Sequence, residues 1–181
     1  MASSLKLALL LRGINVGGNN KVPMSDLKVM LADLGYEDIK TILNSGNAVV
    51  DTSDSPAEAE SAVSQAIASR LGLKIDVMAR THKELAAVVK ADPLGSLATN
   101  PSHYAVAFLR SEPPKNALEA VDPETYAPEC WKLIGRELFI WYANGQAKTK
   151  LVGGFWEKQL KMAATARNWN TVVKLRDLTA G

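Results

Sequence analysis

The chain has little of what many catalytic or secreted scaffolds rely on. Its 181 residues include one cysteine, Cys130, and two histidines, His82 and His103. One thiol excludes an internal disulfide, and no Cys/His cluster has zinc-site spacing, so no metal is expected. The same scarcity fits a reducing cytoplasm, which is the expected localisation. Long apolar runs are missing too. The LALLL stretch near the start falls far short of the roughly 20 residues that cross a bilayer. Arg12 and Asn15 stand where a signal-peptide cleavage site would need small residues, so no membrane association is expected. Nor is there an excess of one charge: 21 basic against 19 acidic residues leave a net +2, with no global pull toward nucleic acid. No Ser/His/Asp set, metal cluster or pair of shifted carboxylates can be assembled.

What is present is a chain of ordinary composition, long enough to bury roughly 70% of its unfolded surface. It opens with a continuous apolar strand over residues 5–11, a loop holding Gly13, Gly17 and Gly18, and a helix beginning between Pro23 and Ser25. Ser25 is a candidate cap and Pro23 a candidate first-turn residue. Leu27, Met30, Leu31 and Leu34 form its apolar face, and Gly35 ends it. Strands at 39–43 and 48–51 flank Asn44-Ser45-Gly46-Asn47 as a hairpin. Ser55-Pro56-Ala57-Glu58 is a capping box opening a second helix with Ala59, Val63, Ala66, Ile67 and Leu71 inward. A strand at 74–79 completes the order βαββαβ.

In the second half, Thr81-His82-Lys83-Glu84 is another capping box, for a helix that Asp92-Pro93 stops. Tyr104, Val106 and Phe108 alternate in a strand. A loop or short helix follows from Pro113 to about Ala120, then a hairpin of 129–134 and 137–142 around Gly135-Arg136. Two short helices, near 155–162 and 167–178, close the chain. The order echoes the first half; no residue-level repeat stands out, so a duplication rests on element order alone. The expected fold is α+β: two ferredoxin-like halves, 1–80 and 81–181, with mainly antiparallel sheets, packed as one unit. In such a half the first and second strands run parallel. The loop 13–20 and the turn 45–47 should then meet at one sheet edge.

Three stretches carry candidate site residues. In the first, Arg12, Gly13, Asn15, Gly17 and Gly18 lie after a strand and before a helix, where backbone amides can approach an anion. The spacing matches neither dinucleotide nor P-loop glycine patterns, and a glycine-requiring loop is the plain alternative. In the second, Ser45 and Asn47 belong to the hairpin turn, which alone suffices to explain them. In the third, Arg167, Asn170, Thr171 and Lys174 share an arc if the segment is helical, with Trp169, Val172 and Val173 inward. Asn168 lies beside them; a solvated helix face is the alternative. Lys148 and Lys150 add positive charge, and Glu157 is the one carboxylate near this segment. Cys130 reads as a small apolar strand residue and His82 as a helix-start residue.

The segments LLRGINVGGNNKVPMSDLKVMLADLGYEDIKTILNSGN and KTKLVGGFWEKQLKMAATARNWNTVVKL resemble the bacterial family called domain of unknown function 1697. The resemblance covers both ends and most of the chain. It implies two ferredoxin-like halves with no established activity. The family-like positions are Arg12, Gly13, Asn15, Gly17, Gly18, Ser45, Gly46, Asn47, Lys150, Glu157, Thr165, Arg167, Asn168, Trp169, Asn170 and Thr171. The sequence departs at Asn44, where glutamine is usual, at Thr149, where serine is usual, and at Val50, where an aromatic is common.

The leading functional expectation is a binding module for a small anionic or nucleotide-like ligand, drawn from this donor-rich set. A nucleic-acid-binding protein is the alternative, since RNA-recognition domains share the element order. Those stack bases on sheet aromatics, which the strands at 5–11 and 48–51 lack. An enzyme of unidentified chemistry, with Glu157 and Lys150 as an acid–base pair, is the third. Cofactor, substrate and oligomeric state are left open. The anion reading further expects Asn15 and Arg167 to line one hollow.

Overall fold

The computed structural model describes residues 4–151 and 154–181; Val152 and Gly153, inside the LVGGFW motif, lie outside the described residues. The described elements are β1 (Leu5–Leu11), α1 (Met24–Asp33), β2 (Glu37–Ile42), β3 (Asn47–Thr52), α2 (Pro56–Leu71), β4 (Val77–Thr81) and α3 (His82–Ala91). After them come β5 (Tyr104–Leu109), β6 (Cys130–Ile134), β7 (Glu137–Trp141), α4 (Phe155–Leu160), β8 (Ala164–Asn168) and α5 (Trp169–Thr179). Two compact units result: Met1–Ala86 with Leu175–Gly181, and Ala87–Lys174. Among the described residues no helix is long and apolar enough to cross a membrane.

The first unit is a four-stranded sheet in the order β2-β3-β1-β4, antiparallel throughout. Its central strand β1 reads as unbroken apolar sequence because Leu7 to Leu11 are buried on both faces. Leu7, Leu9 and Leu11 share a core with Leu27, Met30 and Leu31 of α1 and with Ala59, Val63 and Ile67 of α2. The capping box of α2 forms as expected: Ser55 N donates to Glu58 Oε2 at 2.8 Å, and Glu58 N donates back to Ser55 Oγ at 3.4 Å. Gly72, at φ 66°, closes that helix.

Two local expectations are corrected here. Ser25 does not cap α1. The helix starts at Met24, two residues earlier than a Ser25 cap requires, so Ser25 lies inside the first turn and Pro23 enters the helix with no side-chain cap. The strand expected at 74–79 is β4, Val77–Thr81, because pairing with β1 begins only at Leu11 opposite Val77.

The second unit repeats the arrangement as β6-β7-β5-β8, again antiparallel. No α-helix forms over 113–120; that stretch is turns, followed by a 3₁₀ turn at Pro123–Tyr126. The larger correction concerns 167–178. Residues Ala164–Asn168 are a strand, and α5 begins only at Trp169. Arg167 therefore shares no helical arc with Asn170, Thr171 and Lys174. The alternation is inverted: polar Thr165 and Arg167 are buried while Ala166 is exposed, so apolar periodicity gives no strand signal.

Register exposes a repeat at which element order only hints. Leu11 pairs with Val77 at the end of one sheet and Leu109 with Ala164 at the end of the other. Arg12 N then donates to Asp76 O at 2.9 Å, and Arg110 N to Ala163 O at 3.4 Å. Counting along the strands, Ala79-Arg80-Thr81 coincides with Ala166-Arg167-Asn168. Each triplet runs from an edge strand straight into a helix.

Candidate functional site

In the first unit the loop after β1 is shaped before any ligand arrives. Asn15 N donates to Asn20 O at 3.1 Å and Asn19 N to Val16 O at 3.2 Å, closing a small hairpin. Gly17 and Gly18 form its tip at φ 60° and 79°, a left-handed pair that glycine adopts without strain. Asn15 is the latch. Its Nδ2 donates to Val22 O at 2.9 Å and to Asn44 O at 2.8 Å, and its Oδ1 accepts from Val22 N at 2.9 Å. Loop and hairpin turn thus meet at the sheet edge, as the topology requires. Asn20 Nδ2 adds a bond to Gly13 O at 3.1 Å.

The turn is equally tied down. Leu11 N donates to Gly46 O at 2.8 Å, and buried Asn47 donates through Nδ2 to Ile42 O at 3.0 Å and Ser45 Oγ at 3.2 Å. Arg12 is half-buried, with Nη1 3.7 Å from Asp76 Oδ2. The Asn44 contact uses the backbone carbonyl, so asparagine in place of the family's glutamine changes nothing there. Val50 lies in the helix-covered core, where no base could stack on it.

In the second unit Arg167 is only 7% exposed. Its Nη1 donates to Thr165 Oγ1 at 2.7 Å and to Ala166 O at 2.8 Å. Burial pulls the guanidinium's pKa down, to about 10. Asn168 caps α5, its Oδ1 accepting from Thr171 N and Thr171 Oγ1, both at 3.0 Å. Asn170 is exposed and Thr171 buried. Glu157, on α4, accepts from Ala164 N at 2.8 Å through Oε1. In the first unit Glu60 of α2 accepts from Ala79 N at 2.8 Å. Both carboxylates cover N–H groups of an edge strand, a position that would otherwise invite pairing.

Lys150 lines a groove of about 190 Å³ with Lys148, Asn144, Thr125 and Tyr126. Its walls are held by side-chain bonds. Thr149 Oγ1 donates to the Glu129 carboxylate and accepts from Leu151 N at 3.0 Å. A serine at 149 carries the same hydroxyl, which explains the family's alternative. On the other wall Asp122 caps the Pro123–Tyr126 turn, accepting from Thr125 Oγ1 at 2.8 Å. Tyr126 packs edge-on against Trp131 and Phe155, with ring centroids 6.0 and 5.5 Å away. Sequence reasoning finds the lysines but misses Thr125, Tyr126 and Asn144 as site residues; the Asn144-Gly145 turn is the available signal.

A second hollow, about 150 Å³, lies over Ala107, Ala164 and Ala166, with Tyr142, Trp156 and Glu157 among its walls. Burial pushes the Tyr142 phenol up to about 12, and the neighbouring Trp156 indole works in the opposite direction. Cys130 is half-buried and its thiol is likewise raised by burial, which leaves it a poor nucleophile. Among the described residues no group of three or more His, Cys, Asp or Glu side chains is placed to hold a metal ion. Asn15 falls in the first unit and Arg167 in the second.

The family model described as "Protein of unknown function (DUF1697)" matches residues 5–139. Among solved structures the chain is similar to a conserved bacterial protein, SP0830 of Streptococcus pneumoniae. The TM-score is 0.74 at 22% identity, over 98% of this chain and 99% of that one. At that identity the likeness speaks for the fold alone. No curated protein matches the chain.

Proposed function

The chain belongs to the DUF1697 family of proteins of unknown function, and from the groove of its second unit we propose that it is a binding module for a small anionic, nucleotide-like ligand. The observation that carries this reading is the placement of Lys148 and Lys150 in one groove with Tyr126, Thr125 and Asn144. Two ammonium groups attract a phosphate or carboxylate, the hydroxyl and amide supply directional bonds, and Tyr126 offers a ring edge to a planar body. The single cysteine is compatible with a reducing cytoplasm.

Titration calorimetry with ADP and with inorganic phosphate tests this. Binding that weakens with salt and falls about tenfold or more in Lys148→Ala and Lys150→Ala is the expected result. ADP binding unchanged in both variants would sink it. The first-unit loop, with Arg12, Gly13, Gly17 and Gly18, is the other anion candidate, and Arg12→Ala in the same titration separates the two.

A further inference from the structure

We propose that the outer edge of β6, in the second unit, docks an extended acidic peptide segment of another protein, which lengthens the sheet by one strand. This docking edge is independent of the lysine groove, and different substitutions test the two.

The two sheets end in β2 and β4 and in β6 and β8. Three of these edges carry a guard against any further strand. Glu60 accepts from Ala79 N on β4, and Glu157 from Ala164 N on β8, each at 2.8 Å. On β2 the register slips between Glu37 and Lys40, with Asp38 at φ 44°, so a bulge bends the edge. Among the described residues β6 carries neither device. It pairs with β7 in unbroken register, from Cys130 opposite Trp141 to Ile134 opposite Glu137.

Register also fixes which main-chain groups β6 turns outward. Leu109 N donates to Arg136 O and Tyr142 N to His103 O, both at 2.9 Å. Even-numbered positions from 136 to 142 therefore bond toward β5, and the odd-numbered ones toward β6. Cys130, Lys132 and Ile134 lie opposite odd-numbered partners and bond β7. The N–H and C=O groups of Trp131 and Leu133 point the other way, and among the described residues no strand pairs with them. The side chain between them decides the partner. Lys132 is exposed. A second copy could satisfy all four groups only by an antiparallel pairing of Trp131 with Leu133, which sets each Lys132 against its counterpart at about 4.5 Å between Cα atoms. Like charges directly opposite are unfavourable, so the edge resists its own copy, whereas an Asp or Glu at that place is attracted. Ile134, 40% exposed, and half-buried Cys130 lie two residues to either side on the same face. The fitting strand therefore alternates apolar, acidic and apolar side chains on that face.

The test titrates the full-length ¹⁵N-labelled chain with the peptide acetyl-TVTETVT-amide and with its lysine counterpart acetyl-TVTKTVT-amide, and reads amide exchange residue by residue. In the free chain the Trp131 and Leu133 amides should exchange fast, and the Lys132 amide, bonded within the sheet, slowly. The glutamate peptide should slow Trp131 and Leu133 by about tenfold or more and leave Lys132 as it was. It should bind about fivefold tighter than the lysine peptide. Lys132→Glu, at an exposed position, should reverse that order, and Lys150→Ala should leave peptide binding unchanged. Trp131 and Leu133 amides unmoved by the peptide would overturn the proposal, as would an order of affinities that Lys132→Glu does not reverse. Loss of peptide binding in Lys150→Ala would move the peptide to the lysine groove and overturn it too. Protection of the two amides that grows with the concentration of the free chain would assign the edge to a second copy, against the proposal.

Discussion

Arg80 and Arg167 hold the same place in two sheets. Arg80 stands opposite Ala8 on β1, and Arg167 opposite Val106 on β5, each one residue before the residue that caps the next helix. Each Nη1 donates to the carbonyl of the preceding alanine, at 3.0 Å from Arg80 and 2.8 Å from Arg167. A guanidinium so fully buried is costly to desolvate, and its bonds offset that cost only while they are intact. Sequence alone presents Arg167 as a ligand-facing helix residue. Its counterpart in the first sheet shows instead a place that the fold fills twice with a buried guanidinium.

Truncating either arginine should destabilise the protein. Arg80→Ala and Arg167→Ala are each expected to lose about 2–4 kcal/mol, through lost packing and orphaned acceptors. Arg167→Lys should not restore the loss, because an ammonium cannot reproduce the forked bonds to Thr165 Oγ1 and Ala166 O. Urea unfolding followed by circular dichroism measures this. Unaltered midpoints would show that the buried arginines contribute nothing to stability.

The loop latch gives a second expectation. Asn15 sits at φ 55° and makes three side-chain bonds. Asn15→Gly keeps the backbone geometry and loses only those bonds, about 1–3 kcal/mol. Asn15→Asp should be worse, since it sets a carboxylate against the carbonyls of Val22 and Asn44. Amide exchange of the loop residues should speed up in both, and more in the aspartate variant. The reverse order would show that Asn15 does not hold the loop by donating.

Two glycines of the same region should respond differently to alanine. A Cβ on Gly46 would come within 2.6 Å of Ile14 Cδ1 and 2.9 Å of Leu11 Cβ, at φ 86°. The wall is core, so Gly46→Ala should cost about 2–4 kcal/mol. Gly17, at φ 60°, meets nothing within 4 Å. Gly17→Ala carries only the left-handed backbone penalty, about 1 kcal/mol. Thermal melts of the two variants should separate clearly, and equal losses would count against the close approach.

How far the sequence can be read depends on whether polarity and burial agree. In β1 they do: five consecutive leucines and alanines are buried, and the strand is obvious. The capping boxes at Ser55 and Thr81 are readable because their partners are three residues away. So is the meeting of loop and turn, which follows from strand order alone. In β8 the two disagree. Thr165 and Arg167 are buried and Ala166 is exposed, so the segment passes for the start of a helix. The repeat hides for the same reason: Ala79-Arg80-Thr81 and Ala166-Arg167-Asn168 match only once register aligns them. The lysine groove joins residues from 125 to 150, and no local pattern could announce that pairing.

Alkali offers a test of the hollow's wall. Burial raises the Tyr142 phenol from 10.0 to about 12. A phenol whose folded-state pKa lies above its unfolded value stabilises the fold fully below pH 10, and that contribution is lost as pH climbs through 12. A rise of this size corresponds to about 2–3 kcal/mol. Between these limits the unfolded chain ionises while the folded one does not, so stability should fall. In Tyr142→Phe this part of the decline should vanish, and the melting temperature should vary less with pH over the same interval. Tyr36, raised by burial and by its 2.7 Å bond to Asp54 Oδ2, remains in the variant as an internal control for the residual slope. An identical slope in both proteins would mean that the Tyr142 hydroxyl reaches solvent and that the hollow is far wetter than its lining indicates.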